Sequence, residues 1–374
     1  MVIQRFILSG RSAVFRPPDF LLRRAFRSSP SSSSPPPPAS YLSDPENRGK
    51  RQPGTNFDQL GSWQNRLELS VNIEESIKHG RLIPSIRLES IGQLSLQGRR
   101  PENEDRILVE PLSDQILLLA IFDGHGGSLA VDYCQAHFAE QLKGILEKQE
   151  DGGLQGALRQ AFCDVNHNFT RFVKNNFHRD EAALMSGTTA TVCLLRSGTE
   201  LVIGHVGDSR ATLCREGQSL RLTTDHEPDL PEERERIQES GGKVLMSSLG
   251  KPRVMGRLDM SRSIGDIDLK QYGVTAEPDI RSIQIKHGRD AFLVLTTDGI
   301  HRVLNSTEVV SLLSSCRDPP EACRMLLDQA LMFGSEDNCT ALVVPFGAWG
   351  KFAASGGNVV RFALSRSLSS RNYV

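Results

Sequence analysis

The sequence predicts an α+β domain in which runs of β-strands lie beside pairs of helices. Short apolar runs bounded by turn residues recur along the chain, as in ILLLAIF (residues 116–122) and LVIGHV (201–206), and this pattern indicates buried strands. Two long segments after the first run instead repeat apolar residues every three or four positions, as amphipathic helices do. Strands and helices grouped in this way favour a layered fold of sheets covered by helices.

Length, composition and charge exclude several classes of protein. The chain has 374 residues, of which 38% are hydrophobic and 24% charged, and its net charge is −1. One large domain with extensions is therefore expected, and no apolar stretch approaches the roughly 18 residues of a membrane span. The near-neutral charge argues against nucleic acid as a partner. The seven cysteines have no disulfide or zinc spacing, so we expect buried free thiols in a reducing compartment.

The first 29 residues have the composition of a targeting segment. They contain six arginines against the single acid Asp19, interleaved with Phe, Leu, Ile and Ser. A secretory signal would need an uninterrupted apolar core and a small-residue cleavage site, and neither is present. The composition therefore predicts a mitochondrial transit peptide over residues 1–29, with a chloroplast address or a disordered basic tail as alternatives.

The segment between the transit peptide and the domain, residues 30–88, begins with a Ser/Pro-rich tract. A tract of this composition cannot bury a core, so it is typical of an extended linker. The rest of this segment is expected to be ordered only in part, with Phe57, Leu60 and Trp63 as possible anchors on the domain. At the other end, residues 347–374 are predicted to form a C-terminal tail whose Ser/Arg-rich stretch, 365–371, is disordered.

Two helices are predicted directly after the strand at 116–122. The first follows a candidate cap at Ser128, and the second repeats apolar residues from Leu154 to Phe172. Residues 151–153 join them, so they are expected to run antiparallel as one layer on a sheet. His137 and His167 in these helices are interpreted as surface or structural histidines rather than ligands.

Further strands are predicted around TTATVCLL, ELVIGHV and RATLCRE, before a charged segment and two closing helices. The charged segment begins at Pro231 and ends at Gly241-Gly242, which predicts a short exposed helix. The closing helices start at residues 305–308 and 318–321, which resemble N-terminal caps. They are expected to form the second helical layer.

Carboxylates stand at the ends of several predicted strands. Asp123 directly follows the apolar run 116–122 and begins the motif DGHGG, whose glycines allow tight turns and close approach to a ligand. The other acids beside strand ends are Glu104, Asp105, Asp208, Asp298 and Asp337. Carboxylates brought within a few ångströms repel one another unless cations lie between them. Because no Cys or His ligand spacing accompanies them, the pattern predicts magnesium or manganese rather than zinc or copper.

Six short motifs together resemble one enzyme family. Arg100 before Glu104-Asp105 is followed in order by DGHGG, SGTTA (186–190), GDSR (207–210), TTDG and EDN. This set resembles the metal-dependent serine/threonine protein phosphatases of type 2C, over about residues 89–346. The resemblance implies a catalytic domain built as an antiparallel β-sandwich flanked by pairs of α-helices on both faces. It also implies that the segment after Pro231 is a flap beside the active site.

The resemblance also implies roles for individual residues. The core ligands of two Mn²⁺ or Mg²⁺ ions would be Asp105, Asp123, the Gly124 carbonyl, Asp298 and Asp337. Glu104 would support Asp105, and Asp208 would hold a weaker third ion. Two ions bridged by Asp123 can make a shared water acidic enough to attack phosphorus and can stabilise the phosphoryl oxygens.

Arg100 and His125 match the two remaining catalytic positions of the family. The resemblance implies that Arg100 holds the substrate phosphate, for which a planar bidentate donor is suited. Arg99 is its immediate neighbour and is interpreted as an exposed charge. His125 would act as the general acid that protonates the departing serine or threonine oxygen.

One position departs from the family pattern. Many members carry an acid four residues after the Asp of the DG motif, whereas this chain has Arg302 there. A positive charge at that position argues against occupancy of a third metal site and changes the surroundings of Asp298, while it leaves the two-metal core unaffected.

Features outside the catalytic motifs resemble one branch of the family. The transit peptide, Trp63 and the stretch VVPFGAWGK (343–351) resemble members of the mitochondrial matrix that act on the branched-chain α-keto acid dehydrogenase complex. The resemblance implies that the substrate is phosphoserine on the decarboxylase component, with docking to the acyltransferase core, and that dephosphorylation activates Leu, Ile and Val catabolism. The catalytic motifs themselves do not carry this assignment, because members with different substrates share them.

Three other functions remain as alternatives from the sequence. They are a matrix phosphatase of broader specificity, a catalytically weak relative that acts as a binding module, and another two-metal hydrolase such as a nuclease. Every core ligand position is filled, which argues against the binding module. The charge balance provides no basic groove for a nuclease.

Overall fold

The computed structural model describes residue 67 and residues 69–148, 153–177 and 180–352. The predicted transit peptide, the anchors Phe57, Leu60 and Trp63, the joining residues 151–152 and the Ser/Arg-rich stretch 365–371 lie outside this part of the chain. The predicted domain boundaries stay predictions.

The described residues form fourteen strands, and every pairing between them is antiparallel. The strands are β1 (Gly92–Leu96), β2 (Asp105–Pro111), β3 (Ile116–His125), β4 (Gly187–Thr188), β5 (Ala190–Arg196), β6 (Glu200–Val206), β7 (Arg210–Arg215), β8 (Gln218–Arg221), β9 (Val244–Met246), β10 (Pro252–Val254), β11 (Ile264–Gly265), β12 (Asp279–Gln284), β13 (Asp290–Thr296) and β14 (Cys339–Pro345).

Eight α-helices accompany the strands in the same part of the chain. They are α1 (Ile73–His79), α2 (Leu129–Leu146), α3 (Leu154–Asn176), α4 (Glu181–Met185), α5 (Pro231–Glu239), α6 (Asp298–His301), α7 (Ser306–Leu313) and α8 (Pro319–Met332). No helix among the described residues is long and apolar enough to cross a membrane.

The strands form two large sheets and one hairpin. One sheet has five strands in the order β1-β14-β13-β7-β8, and the other has seven, in which β3 pairs with β2, β4 and β5. Strands β9 and β10 form a separate two-stranded hairpin after α5. The resulting arrangement is the expected α+β fold with antiparallel sheets.

The central strand β3 is buried on both of its faces, as its apolar run predicts. Leu118 and Phe122 belong to the core shared with α2 and α3, whereas Leu119 and Ile121 belong to the core between the two sheets. Side chains alternate across a strand, so one strand supplies both cores. This sandwich fixes the ends of its strands relative to one another, which positions the acids described below.

Each sheet is covered by helices on its outer side. Helices α2 and α3 share a core with the seven-stranded sheet, where the rings of Phe138 and Phe162 meet edge to face with centroids 5.2 Å apart. Helices α7 and α8 share the core of the five-stranded sheet. Trp349 is buried in this second core, and its indole donates a hydrogen bond to the Arg317 carbonyl at 3.0 Å.

The closing helices are capped as the sequence predicts, and α2 is not. Asn305 and Glu308 form a reciprocal capping box on α7, and Asp318 accepts a hydrogen bond from the Glu321 amide on α8. Ser128 precedes α2, but its hydroxyl donates to Asp132 at 2.8 Å and makes no cap hydrogen bond. The prediction of a Ser128 cap was therefore wrong in its chemistry, although α2 begins at the next residue.

Other predictions concern exposure. His137 and His167 are both exposed, in agreement with the prediction of surface histidines. All seven cysteines are free and six are buried, whereas Cys163 is exposed, contrary to expectation. Helix α5 begins at Pro231 as predicted, but it is not simply exposed, because Glu233 and Ile237 are buried.

Candidate metal centre and active site

The pairing of β2 with β3 brings the first two candidate ligands together. Asp105 begins β2 and lies directly opposite Asp123 of β3 in the antiparallel register. Adjacent strands are only about 5 Å apart, so opposing side chains on one face are neighbours. The register of this one pair of strands therefore produces the first two acids of the cluster.

Two more acids arrive from strands that end at the same edge. Asp208 follows β6 and Asp298 follows β13, and carboxylate oxygens of these two residues and of Asp123 all lie within 4.8 Å of one another. The backbone amide of Asp298 also lies 3.5 Å from Asp123 Oδ2. The predicted convergence of acids at one edge of the sandwich is therefore present in the structure.

The carboxylates of this cluster lie too close together to be fully ionised at neutral pH without nearby cations. Burial, together with the charge of Asp298, raises the pKa of Asp105 to about 7 and that of Asp208 to about 7. Burial, followed by Asp105 and Asp298, raises the pKa of Asp123 well above its usual range. These shifts have the direction expected for carboxylates that face one another without cations between them.

Unpartnered oxygen atoms show that the site fits a divalent ion. Asp105 Oδ1 and Asp208 Oδ1 are buried and accept no hydrogen bond from any described residue. A buried carboxylate oxygen normally has a donor, so orphaned oxygens at a cluster of acids fit metal ligation. The donors gathered here are oxygens, which suit Mg²⁺ and Mn²⁺.

The backbone at Gly124 lies too close to its neighbour for any other residue. A Cβ atom there would lie 2.6 Å from the Glu104 carbonyl oxygen, and the Gly124 amide donates to that same oxygen at 3.1 Å. Only glycine permits such an approach without shifting the backbone. This contact holds the backbone of Glu104 beside Gly124, the residue after Asp123.

Two polar side chains hold the ligands in place. Thr297 donates a hydrogen bond to Asp105 Oδ2 at 2.9 Å and itself accepts one from the Thr340 amide at 3.0 Å. The Asn338 side chain accepts from the Glu104 amide at 2.9 Å and donates to the Glu102 carbonyl at 2.9 Å. Hydrogen bonds of this kind orient metal ligands and tune their affinity.

Two arginines meet at Asp337. Nη2 of Arg100 lies 2.8 Å from Asp337 Oδ2, and Nη1 of Arg302 lies 3.2 Å from the same oxygen. Arg302 also forms an ion pair with Asp298 Oδ2. Arg99 instead pairs with the exposed Glu336 at 3.1 Å, consistent with its interpretation as a surface charge.

His125 faces the same cavity and is held by a residue that the sequence did not single out. His125 Nε2 lies 3.0 and 2.9 Å from the two carboxylate oxygens of the buried Asp266, while Nδ1 has no partner among the described residues. Burial lowers the pKa of His125, but Asp266, with smaller contributions from Asp208 and Glu104, raises it, so the net pKa lies above its usual value. Asp266 therefore favours a protonated, oriented imidazole.

Asp266 was missed because no apolar strand precedes it. It follows the two-residue strand β11, which pairs with β4 and so comes beside the end of β3. Its φ of 47° is left-handed, a conformation that Asp tolerates better than most residues. The dipeptide Gly265-Asp266 repeats the Gly-Asp pattern of Gly207-Asp208, which was the one available signal.

An open cavity of about 590 Å³ lies at this site. Its lining includes the acids Asp123, Asp298 and Asp337, together with Arg253 of β10 and Arg257, which follows β10. The charged segment from Pro231 to Gly242, which the family resemblance implies is a flap, contributes no residue to this lining, so its place beside the active site stays a prediction.

Comparison with known proteins agrees with this geometry. Residues 90–339 match the family model described as protein phosphatase 2C. A relative from Xenopus laevis, "Protein phosphatase 1K, mitochondrial", is 46% identical over 322 residues, covering 86% of this chain and 84% of the relative. "Probable protein phosphatase 2C 56" from Oryza sativa subsp. japonica is 36% identical, covering 67% of this chain and 69% of that protein. The crystal structure of serine-threonine phosphatase 2C from Toxoplasma gondii has the same fold, with a TM-score of 0.61 at 23% identity over 68% of this chain and 94% of the other.

A β-sandwich with an oxygen-donor metal centre at one edge is the architecture of a metal-dependent phosphatase. The chain belongs to the protein phosphatase 2C family and is a metal-dependent protein serine/threonine phosphatase. Its similarity to the Xenopus relative indicates a mitochondrial location. The family resemblance and the fold predicted from the sequence are confirmed.

Proposed function

We propose that this phosphatase acts in the mitochondrial matrix on phosphoserine of the branched-chain α-keto acid dehydrogenase complex. Its substrate would be the decarboxylase component, its docking partner the acyltransferase core, and its effect the activation of Leu, Ile and Val catabolism. The observation that carries the chemistry is the convergence of Asp123, Asp208 and Asp298 beside a cavity that is lined by Asp123, Asp298, Arg100 and His125. The substrate rests on the sequence resemblance at residues 343–351 and on the similarity to a mitochondrial relative.

The proposed ligands are those that the family resemblance implies. The carboxylates of Asp105, Asp123, Asp298 and Asp337 and the Gly124 carbonyl would hold two Mn²⁺ or Mg²⁺ ions. Glu104 would support Asp105, and Asp208 is the position at which the family resemblance implies a weaker third ion. When bound, the ions supply a water acidic enough to attack phosphorus near neutral pH and positive charge for the phosphoryl oxygens.

Arg100 would bind the phosphate of the substrate. Its side chain is 57% exposed at the mouth of the cavity, and one of its nitrogens is engaged by Asp337. A guanidinium has five N–H donors in a planar fork, so other donors remain for the phosphate oxygens. Asp337 thus orients Arg100 as well as serving as a proposed ligand.

His125 would hold the proton that the leaving group needs. Its Nε2 donates a hydrogen bond to Asp266, which leaves Nδ1 as the nitrogen that can donate to the departing serine oxygen. A cationic imidazole held in one orientation is suited to this general-acid role. Without Asp266 the ring would be free to rotate, and the fraction of protonated imidazole would fall.

The proposal is tested by phosphate release from the phosphorylated complex. Full-length protein is assayed with Mn²⁺ or with EDTA, on the complex and on an unrelated phosphoserine protein at equal phosphate concentration. An Asp298→Ala variant should lose the activity. Glu336→Ala is the control, because Glu336 is adjacent to Asp337 in sequence but its side chain is 75% exposed and pairs with Arg99.

We expect Mn²⁺-dependent release that strongly favours the complex and disappears in Asp298→Ala. Equal activity on both substrates would replace the proposal by a matrix phosphatase of broader specificity. No activity on either substrate with Mn²⁺ present would support the alternative of a catalytically weak binding module.

A further inference from the structure

Arg302 lies inside the acidic cluster although it matches no ligand of the family. It directly follows α6, four residues after Asp298, and its guanidinium pairs with Asp298, which follows β13, and with Asp337, which precedes β14. The side chain is 41% exposed, so it reaches the acids from the open side of the cavity. One cation of the chain therefore spans two of the proposed metal ligands.

The negative charges around Arg302 are those that a third metal ion would need. Arg302 forms an ion pair with Asp298. A carboxylate oxygen of Asp298 lies within 4.8 Å of one of Asp208, the proposed ligand of the third ion. A guanidinium at this place supplies positive charge to the same carboxylates and repels any further cation.

A simple surface ion pair does not account for this arrangement. An exposed pair four residues apart contributes little, whereas Asp298 is only 8% exposed. Asp337, the second partner of Arg302, already pairs with Arg100, so Arg302 is not needed to satisfy that carboxylate. The position of Arg302 matters chiefly for the electrostatic potential of the metal centre.

We infer that Arg302 is a built-in cation that takes the place of the third metal ion, so that this phosphatase binds two divalent ions. The inference rests on the ligand set proposed above. The guanidinium donates to the Asp298 oxygen nearest to it and neutralises charge that would otherwise attract an ion at Asp208. The outer part of the centre therefore keeps its positive charge at low metal concentration.

The inference is tested by counting bound ions in full-length protein. Mn²⁺ binding is measured by equilibrium dialysis with metal analysis for the wild type, Arg302→Gln and Arg302→Asp. We expect two ions per chain in the wild type and a third in both variants, at least about tenfold tighter than any further binding to the wild type. Adding Asp208→Ala to Arg302→Asp should remove the third ion.

Two control variants separate the position of the charge from its presence. Arg99→Gln removes a neighbouring arginine that pairs only with the exposed Glu336, and it should bind two ions like the wild type. Arg302→Lys keeps a positive charge and should not gain the third ion. Equal stoichiometry and affinity in the wild type, Arg302→Gln and Arg302→Asp would overturn the inference, as would a third ion that persists without Asp208.

Thermal unfolding provides a readout that does not depend on activity. Without its cation the cluster is more repulsive, so Arg302→Gln should lower Tm in EDTA, and saturating Mn²⁺ should restore it. A purely structural arginine would lower Tm equally in both conditions, which would contradict the inference. If neither the wild type nor Arg302→Gln binds Mn²⁺, the proposed ligand set fails together with the inference, whereas two ions in every variant overturn the inference alone.

Discussion

Buried carboxylates occur at two places in this molecule, and the chain treats them in opposite ways. One is the predicted flap, where Glu233 of α5 is paired with Arg236 at 2.7 Å and with Arg262 at 2.9 Å. These three residues are called the flap base below. Although burial raises the pKa of Glu233, these arginines and Ser261 lower it to about 2. At the metal centre, burial and neighbouring acids raise the pKa of Asp105 and Asp208 to about 7.

The difference shows where the chain supplies its own counter-charges and where it relies on ions from solution. Buried charges are stable only when they are paired or coordinate a metal. The flap base satisfies its acid with arginines and is therefore structural. The metal centre leaves its acids without enough counter-charges from the chain, which suits it to bind cations. Arg302 is the position at which the chain itself also supplies a counter-charge to the metal centre.

The largest expected effect comes from removing a carboxylate of the metal centre. Asp123→Asn should lower phosphate release from a phosphoserine peptide by at least about 10³-fold, the upper range for losing one preorganised electrostatic group. Its free energy of unfolding in EDTA should not fall, because one of several repelling charges is removed. Asp132→Asn, on the exposed side chain that pairs with Arg106, is the control and should keep full activity. Activity within tenfold of the wild type in Asp123→Asn would contradict the role of this residue.

The reverse is expected at the flap base. Glu233→Gln should reduce the free energy of unfolding by about 3 kcal/mol in urea titrations, because it leaves the arginines around it without their buried partner. Glu235→Gln on the exposed face of the same helix should stay within about 0.5 kcal/mol of the wild type. Mn²⁺ binding should be unchanged in both variants. Weaker Mn²⁺ binding in Glu233→Gln with an unchanged free energy of unfolding would contradict the distinction between the two regions.

Asp266 combines features of both types of acid, because it is buried and paired, and its partner is the histidine proposed as the general acid. Asp266→Asn should lower kcat by about 10- to 100-fold with little change in KM, since the proposed general acid loses its orienting partner. Mn²⁺ binding should be kept. Asp268→Asn, two residues away and paired with Arg257, is the comparison variant. An unchanged kcat in Asp266→Asn would remove Asp266 from the mechanism.

The smallest expected effect is the pH dependence of the flap base. Because the pKa of Glu233 is about 2 in the folded protein and 4.5 ordinarily, its stabilisation is complete above pH 4.5 and is lost as the pH falls towards 2. The difference in unfolding free energy between the wild type and Glu233→Gln should therefore shrink by about 1 kcal/mol between neutral pH and about pH 3.5. A difference that is constant over this range would show that folding does not lower the pKa of Glu233.

The sequence predicts the parts of this molecule that depend on local pattern. The apolar run of β3, the caps at Asn305 and Asp318, and the acids at strand ends are all found where expected. These features follow from residues close in sequence or from a shared edge of one sandwich. The predicted roles of the site residues remain to be measured.

The features that the sequence did not predict depend on tertiary contacts. Helix α5 has too few apolar residues to predict burial, and Glu233 is buried only because arginines from elsewhere in the chain reach it. Asp266 reaches His125 through the short pairing of β11 with β4. The sequence marked Arg302 as unusual, but only the fold shows that its guanidinium contacts both Asp298 and Asp337.

The central claim is that the unsatisfied acids of the metal centre are completed by divalent ions. The most direct measurement is the free energy of unfolding of the full-length protein as Mn²⁺ is added, beside Asp123→Asn. A site that binds only the folded chain adds about 2.7 kcal/mol when the ion concentration is 100 times Kd. We predict a rise of this kind in the wild type and none in Asp123→Asn. No rise in the wild type, or an equal rise in both proteins, would contradict the claim.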